Sequence, residues 1–131
     1  MSIRDTLLAN VTVALNNTSC GVSTELPFET GGVALYEKNM KKFYLGAEVR
    51  DVNTLYQTLG GCNIHQLETT LTGFLSVDAK NQPNDISAII ISLINAKDAV
   101  PNKSLNECVV DHEIVEDRMI YSFEYTFSEL N

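Results

Sequence analysis

The chain has 131 residues, 44% of them hydrophobic, with 17 acidic against 9 basic side chains and a net charge of −8. Length and composition predict one folded domain rather than a disordered chain. The acid excess argues against a surface that grips nucleic acid, which needs Lys and Arg to neutralise phosphates, and no apolar run reaches the ~18 residues of a membrane span.

The first residues look briefly like a signal peptide, but Asp5, Asn10 and Thr12 interrupt any apolar core segment. The spacing predicts a helix instead. Ser2 can cap it, and Ile3, Leu7, Leu8, Val11 and Leu15 fall on one face. Asn16, Asn17 and Thr18 end it, and residues 17–31 read as a loop closed by Pro27. Gly32–Glu37 is a predicted strand, joined to Phe43-Tyr44-Leu45 through a basic turn carrying Lys38, Lys41 and Lys42. Those lysines are either a solvated turn or a contact for an acidic partner surface. Over Asp51–Leu59, the positions Val52, Leu55, Tyr56 and Leu59 keep helical spacing, Asp51 can cap and Gly60 can close, so a short helix is expected.

Ile64–Ala79 dominates the chain. Its odd positions include Leu67, Leu71, Leu75 and Val77, while Glu68, Thr70, Thr72, Ser76 and Asp78 take the even ones. Period two over so many residues predicts a strand with one buried face, about 45 Å long at roughly 3.3 Å per residue. A domain of this size has a radius of gyration of about 14 Å. The strand must therefore bend, with Gly73 the natural place, or one end must project from the body.

Lys80–Asn84 is a loop, and Asn84 or Asp85 can cap a helix bearing Ile86, Ile89, Ile90, Leu93 and Ile94. Ala88 and Ile91 widen its apolar stripe, which suits deep burial or cover by another subunit. Val100-Pro101 stops it. Glu107–Val115 and Arg118–Ser128 form a closing hairpin around a polar turn at Glu116-Asp117, with Met119, Tyr121, Phe123, Tyr125 and Phe127 on one face. The expected fold class is α+β: a single domain, a mostly antiparallel twisted sheet with two main helices packed on it.

Three constellations bear on chemistry. Cys62-x-x-His65 and Cys108-x-x-x-His112 resemble halves of a zinc site, but strand residues four apart lie about 13 Å apart. A zinc ion needs its ligands within about 2.3 Å, so no metal is expected. Three cysteines, an odd number, fit free thiols in a reducing cytoplasm. No nucleophile-elbow, P-loop or dinucleotide motif occurs, so no cofactor is expected. Asp111, Glu113, Glu116 and Asp117 could hold a cation or do acid–base work, though a charged edge hairpin protected from wrong pairing is the plainer reading. From Glu107 onward the chain has seven acids against Arg118 alone.

The layout resembles the tail terminator, or tail completion, proteins of long-tailed phages, the minor tail protein U family of lambda-like phages. The resemblance rests on the helix Ile3–Leu15, then Leu26-Pro27, then Val33-Ala34-Leu35-Tyr36. It continues through the long strand Leu67–Asp78, the loop Lys80–Pro83, the helix Asp85–Lys97 and the aromatic strand Tyr121–Phe127. This chain carries an additional segment, about Lys42 to Asn63. The resemblance implies that 1–131 is one tail-terminator-like domain of a non-enzymatic virion protein, assembled in the host cytoplasm. It would form a homo-oligomeric ring, a hexamer, at the head-proximal end of the tail. Its partners would be the tail tube protein and the head–tail connector protein, with DNA passing through the lumen. In such a ring Ile91, Lys38, Lys41 and Lys42 would serve as subunit or tube contacts. The acids Asp111, Glu113, Glu116 and Asp117 would face the lumen and repel passing DNA. Another head–tail connector or a tail-tube protein is the alternative within this class. A small α+β enzyme or ligand-binding domain using the acidic hairpin is the alternative outside it.

Overall fold

The structure is a computed structural model and describes residues 3–23, 42–57, 61, 63–100, 105–115 and 118–130. Among these, α1 (Ile3–Ala14) and α2 (Ile86–Asn95) lie on one face of a six-stranded sheet, so the fold is α+β. The strands are β1 (Gly21–Ser23), β2 (Lys42–Leu45), β3 (Val49–Gln57), β4 (Asn63–Asp78), β5 (Leu105–Val115) and β6 (Arg118–Leu130). A turn of 3-10 helix, Ala96–Ala99, follows α2 directly.

The sheet order is β1-β2-β4-β6-β5, with β3 also paired to β4. All pairings are antiparallel except β1 with β2. The long strand is real at 16 residues, and it is the spine of the sheet. One of its edges is covered over Gln66–Asp78 by β6. The other is shared, with β2 opposite Gly73–Leu75 and β3 opposite Asn63–Thr70.

The odd positions of β4 are buried as expected from Thr69 to Val77, but the even face is not wet throughout: Ser76 and Asp78 are buried too, as is Ile120 opposite Ser76. Thr69, Leu71, Gly73, Leu75 and Val77 are buried and point toward the helices together with Phe123, Tyr125 and Phe127 of β6. Leu7, Val11 and Leu15 of the first helical segment and Ile89 and Leu93 of α2 close that core. Each fully buried Leu, Ile or Phe contributes about 1.5–3 kcal/mol of apolar transfer. The Tyr125 hydroxyl, buried with its ring, donates to the Leu93 carbonyl at 2.6 Å and so ties α2 to the sheet.

The β4–β6 register runs through Gly73 without a shift. A Cβ there would come within 2.1 Å of the Phe43 ring, which stands edge-on to Phe123 at 5.7 Å. The missing side chain is the seat of an aromatic ring.

Two sequence expectations are corrected. Residues 51–57, expected in a short helix, belong to strand β3. The loop expected over 17–31 contains β1, which runs parallel to β2. The strand expected at Gly32–Glu37 lies outside the described residues, as does the turn bearing Lys38 and Lys41; β2 covers the expected Phe43–Leu45 strand.

Between Leu45 and Val49 the pairing to β4 slips. Leu45 opposes Gly73 but Val49 opposes Thr70, so four steps along one strand match three along the other. That is the arithmetic of a bulge, one extra residue on the outer strand. Arg4 of α1 holds the irregular stretch, donating from Nε to the Gly46 carbonyl and from Nη2 to the Leu45 carbonyl, both at 2.8 Å. The Gly46 amide donates to the Thr72 carbonyl at 2.9 Å.

Candidate interaction surface

The residues of interest sort by the alternation of the strands. On β4 and β6 the odd positions face the helices, and the registers carry that assignment across the sheet. Asp111 pairs with Ser122 and Glu113 with Ile120, which sets both acids on the face away from the helices. Both are exposed. Glu107, Glu124 and Glu68 fall on the same face by the same rule. Glu116 and Asp117 lie outside the described residues. This face is anionic along the β5–β6 hairpin because charges at every second position of an edge strand collect on one side.

Lys42 opens β2 and is exposed. Its neighbour Phe43 is buried in the core, so Lys42 points to the acidic face as well. Ile91 is 57% exposed on α2 while Ile89 and Leu93 are buried, so the helix keeps an outward apolar position. Val13 of α1 is exposed nearby, and a groove of about 390 Å³ between the helices is lined by Asn10, Val13, Ala14, Ser92, Asn95 and Ala96.

The feature that sequence reasoning found only in outline is the β3–β4 arm. Among the described strands, Asn63, Ile64 and His65 pair only with β3, because β6 ends at Leu130 opposite Gln66. Val49, Arg50, Asp51 and Val52 are exposed, with Val49 and Val52 at 58% and 63%, and His65 to Glu68 are half-buried. An isolated two-stranded ribbon is marginal in water. One end of β4 is therefore held, among the described residues, by a single neighbouring strand. The signal for β3 itself was hidden by the slip before it and by a second register shift between Thr54 and Tyr56, which scramble the alternation.

The potential chemical centres are dispersed or quenched. Cys20 is buried and its thiol is pushed up to about 11 by burial; Cys108 is likewise pushed up to about 11, first by burial. Neither is a nucleophile at neutral pH. Cys108 and His112 share the helix-side face of β5, and Cys62 lies outside the described residues. Among the described residues no group of three or more His, Cys, Asp or Glu side chains is placed to hold a metal ion, and no helix is long and apolar enough to cross a membrane.

No known family model matches the chain, and no curated protein is found as a relative.

Proposed function

We propose that this chain is a ring-forming virion assembly protein, a tail terminator that caps a phage tail tube and joins it to the head connector. The observation that carries an assembly role is the β3–β4 arm, a ribbon held beyond the core with valines exposed. Such a ribbon has little to gain from its own domain and much from a neighbour, since exposed apolar surface of this kind is stabilised on burial between chains. The narrower assignment, a terminator with a tube on one side and a connector on the other, rests on the resemblance of element order.

The role is non-enzymatic in this reading. Asp111 and Glu113 are exposed on a regular strand, and the helical groove lies on the opposite face, so neither carboxylate is desolvated against a substrate cavity. A sheet face rich in carboxylates suits a lumen through which DNA slides without adhering, because like charges repel and Lys and Arg are needed to hold phosphates.

The test is the mass of the purified chain in solution over a range of concentrations, by light scattering or native mass spectrometry. A closed ring of about six copies is expected. A stable monomer at every concentration would sink the proposal.

A further inference from the structure

One row of the sheet joins the two borders of the molecule. Glu113 on β5 pairs with Ile120, and Ile120 pairs with Ser76. Phe43 opposite Leu75 puts Lys42 beside Ser76, and Lys42 pairs with Gly21 on β1. The row therefore runs Glu113, Ile120, Ser76, Lys42, Gly21, with an acid at one border and a lysine next to a glycine at the other. Both charges are exposed, both point to the face away from the helices, and neither forms an ion pair with a described residue.

Among the described residues β5 is one border of the sheet, and it is long and regular: eleven residues pair with β6 without a shift. An unpaired strand edge is a template for another strand. A second β5 is a poor occupant. Antiparallel pairing of two β5 strands centred on Val110 would set Glu107 opposite Glu113 twice, and like charges directly opposite are destabilising. Among the described residues β1 forms the other border, and it offers the complement. Strand directions alternate from β5 through β6 and β4 to β2, and β1 follows β2, so a copied sheet laid beside the first brings β1 antiparallel to β5.

We infer that copies of this chain associate head to tail, the β5 border of one against the β1–β2 border of the next, with Glu113 of one copy facing Lys42 of its neighbour. Strands lie about 4.8 Å apart, so Glu113 and Lys42 stand roughly 10 Å apart at their backbones with β1 between them. Gly21 occupies that intervening position, exposed and without a side chain, and the Lys42 stem lies alongside it. The carboxylate and the ammonium thus meet over the glycine. Strand pairing supplies the area and the charges set the row, which is the usual division of labour at an interface. An unlike-edge contact repeats in one direction and forms a ring where its rotation closes, an open filament where it does not. The inference rests on the ring reading above and names the seam.

The experiment compares Lys42→Glu, Glu113→Lys, the double variant and a 1:1 mixture of the two single variants, by mass in solution at low salt. Each single variant sets like charges against each other at every seam, and its association should weaken on the order of tenfold or more. The double variant should regain the wild-type mass. So should the mixture. Alternating copies there set the two substituted side chains, of opposite charge, against each other at one seam and the native pair at the next, a rescue that misfolded chains cannot give. Rings from the wild type whose mass is indifferent to both single substitutions would overturn the seam and leave the ring. Single variants that lose association with no rescue in the mixture would overturn the seam also. A wild-type monomer at all concentrations would remove both.

Discussion

Gly73 bears more on the packing than any other single position in β4. It lies in the centre of the strand, buried, with the Phe43 ring where a side chain would be. Phe43 is itself fully buried and fixed edge-on against Phe123. Gly73→Ala forces a methyl group to within 2.1 Å of that ring, so the ring or the strand must shift. Overpacking of this kind costs typically about 1–3 kcal/mol. The expected result is a lower denaturant midpoint with an unchanged slope, partly recovered when Phe43→Leu is added, since contacting residues couple. A loss under about 0.5 kcal/mol would mean that the ring moves freely. From the sequence the glycine can be placed in a long strand, but only the structure, with Phe43 of β2 packed over it, reveals that it is a socket.

At the scale of elements the chain is uneven, and so was its legibility. α1, β4, α2 and the β5–β6 hairpin each present one apolar face to one core, and the period of that face is written in the residues: Leu7, Val11 and Leu15 for the helix, Leu71, Leu75 and Val77 for the strand. β3 shows no such face over Val49–Val52. Two register shifts bracket or interrupt it, its described side chains Val49, Arg50, Asp51 and Val52 are all exposed, and what remains, Val52 with Leu55 and Tyr56, mimics a helical stripe. Pattern reading detects burial, and an element that is not buried in its own chain leaves little pattern. The same absence predicts dynamics. Amides of Gly73–Leu75, flanked by strands on both sides over a packed core, should exchange with solvent only through near-global opening. Amides of Asn63–His65 should exchange much faster in the free chain, measured by hydrogen exchange at low concentration. Equal protection along the whole of β4 in a monomeric sample would contradict the picture of an arm beyond the core.

For the whole molecule, charge and burial act in opposite directions on different sides of one sheet. On the helix side burial raises Cys20 and Cys108 to about 11 and moves the Tyr125 hydroxyl upward as well. Each is an acid whose folded form keeps its proton after the unfolded form has lost it. Their contribution is complete below pH 9, the ordinary thiol value, and is lost as pH rises from 9 toward 11. Thermal unfolding midpoints should therefore fall across that window, and Cys20→Ala or Cys20→Val should flatten the fall while costing some stability at neutral pH. A midpoint that stays level to pH 11 would show the thiols to be accessible. The opposite side of the sheet collects the acids, with Glu68, Glu107, Asp111, Glu113 and Glu124 on one face of the register. A net charge of −8 on a monomer resists association through self-repulsion. Any assembly must then bring the few exposed cations of the borders against that excess, and high salt should weaken the Lys42–Glu113 seam by screening it.

The slip between Leu45 and Val49 has a consequence for heredity as much as for shape. Because one outer-strand residue is extra, odd-numbered Phe43 faces the helices while odd-numbered Val49 faces away, so the ribbon beyond the slip is turned over relative to the strand that leads into it. Loss of a single codon among Gly46, Ala47 and Glu48 would remove the extra residue, so that three steps on the outer strand match the three from Gly73 to Thr70. Val49 would keep Thr70 as its partner, and the ribbon would show its neighbours the same face as before. Gain of one codon there, by contrast, leaves two residues to be absorbed in the stretch that the guanidinium of Arg4 clamps through the Leu45 and Gly46 carbonyls.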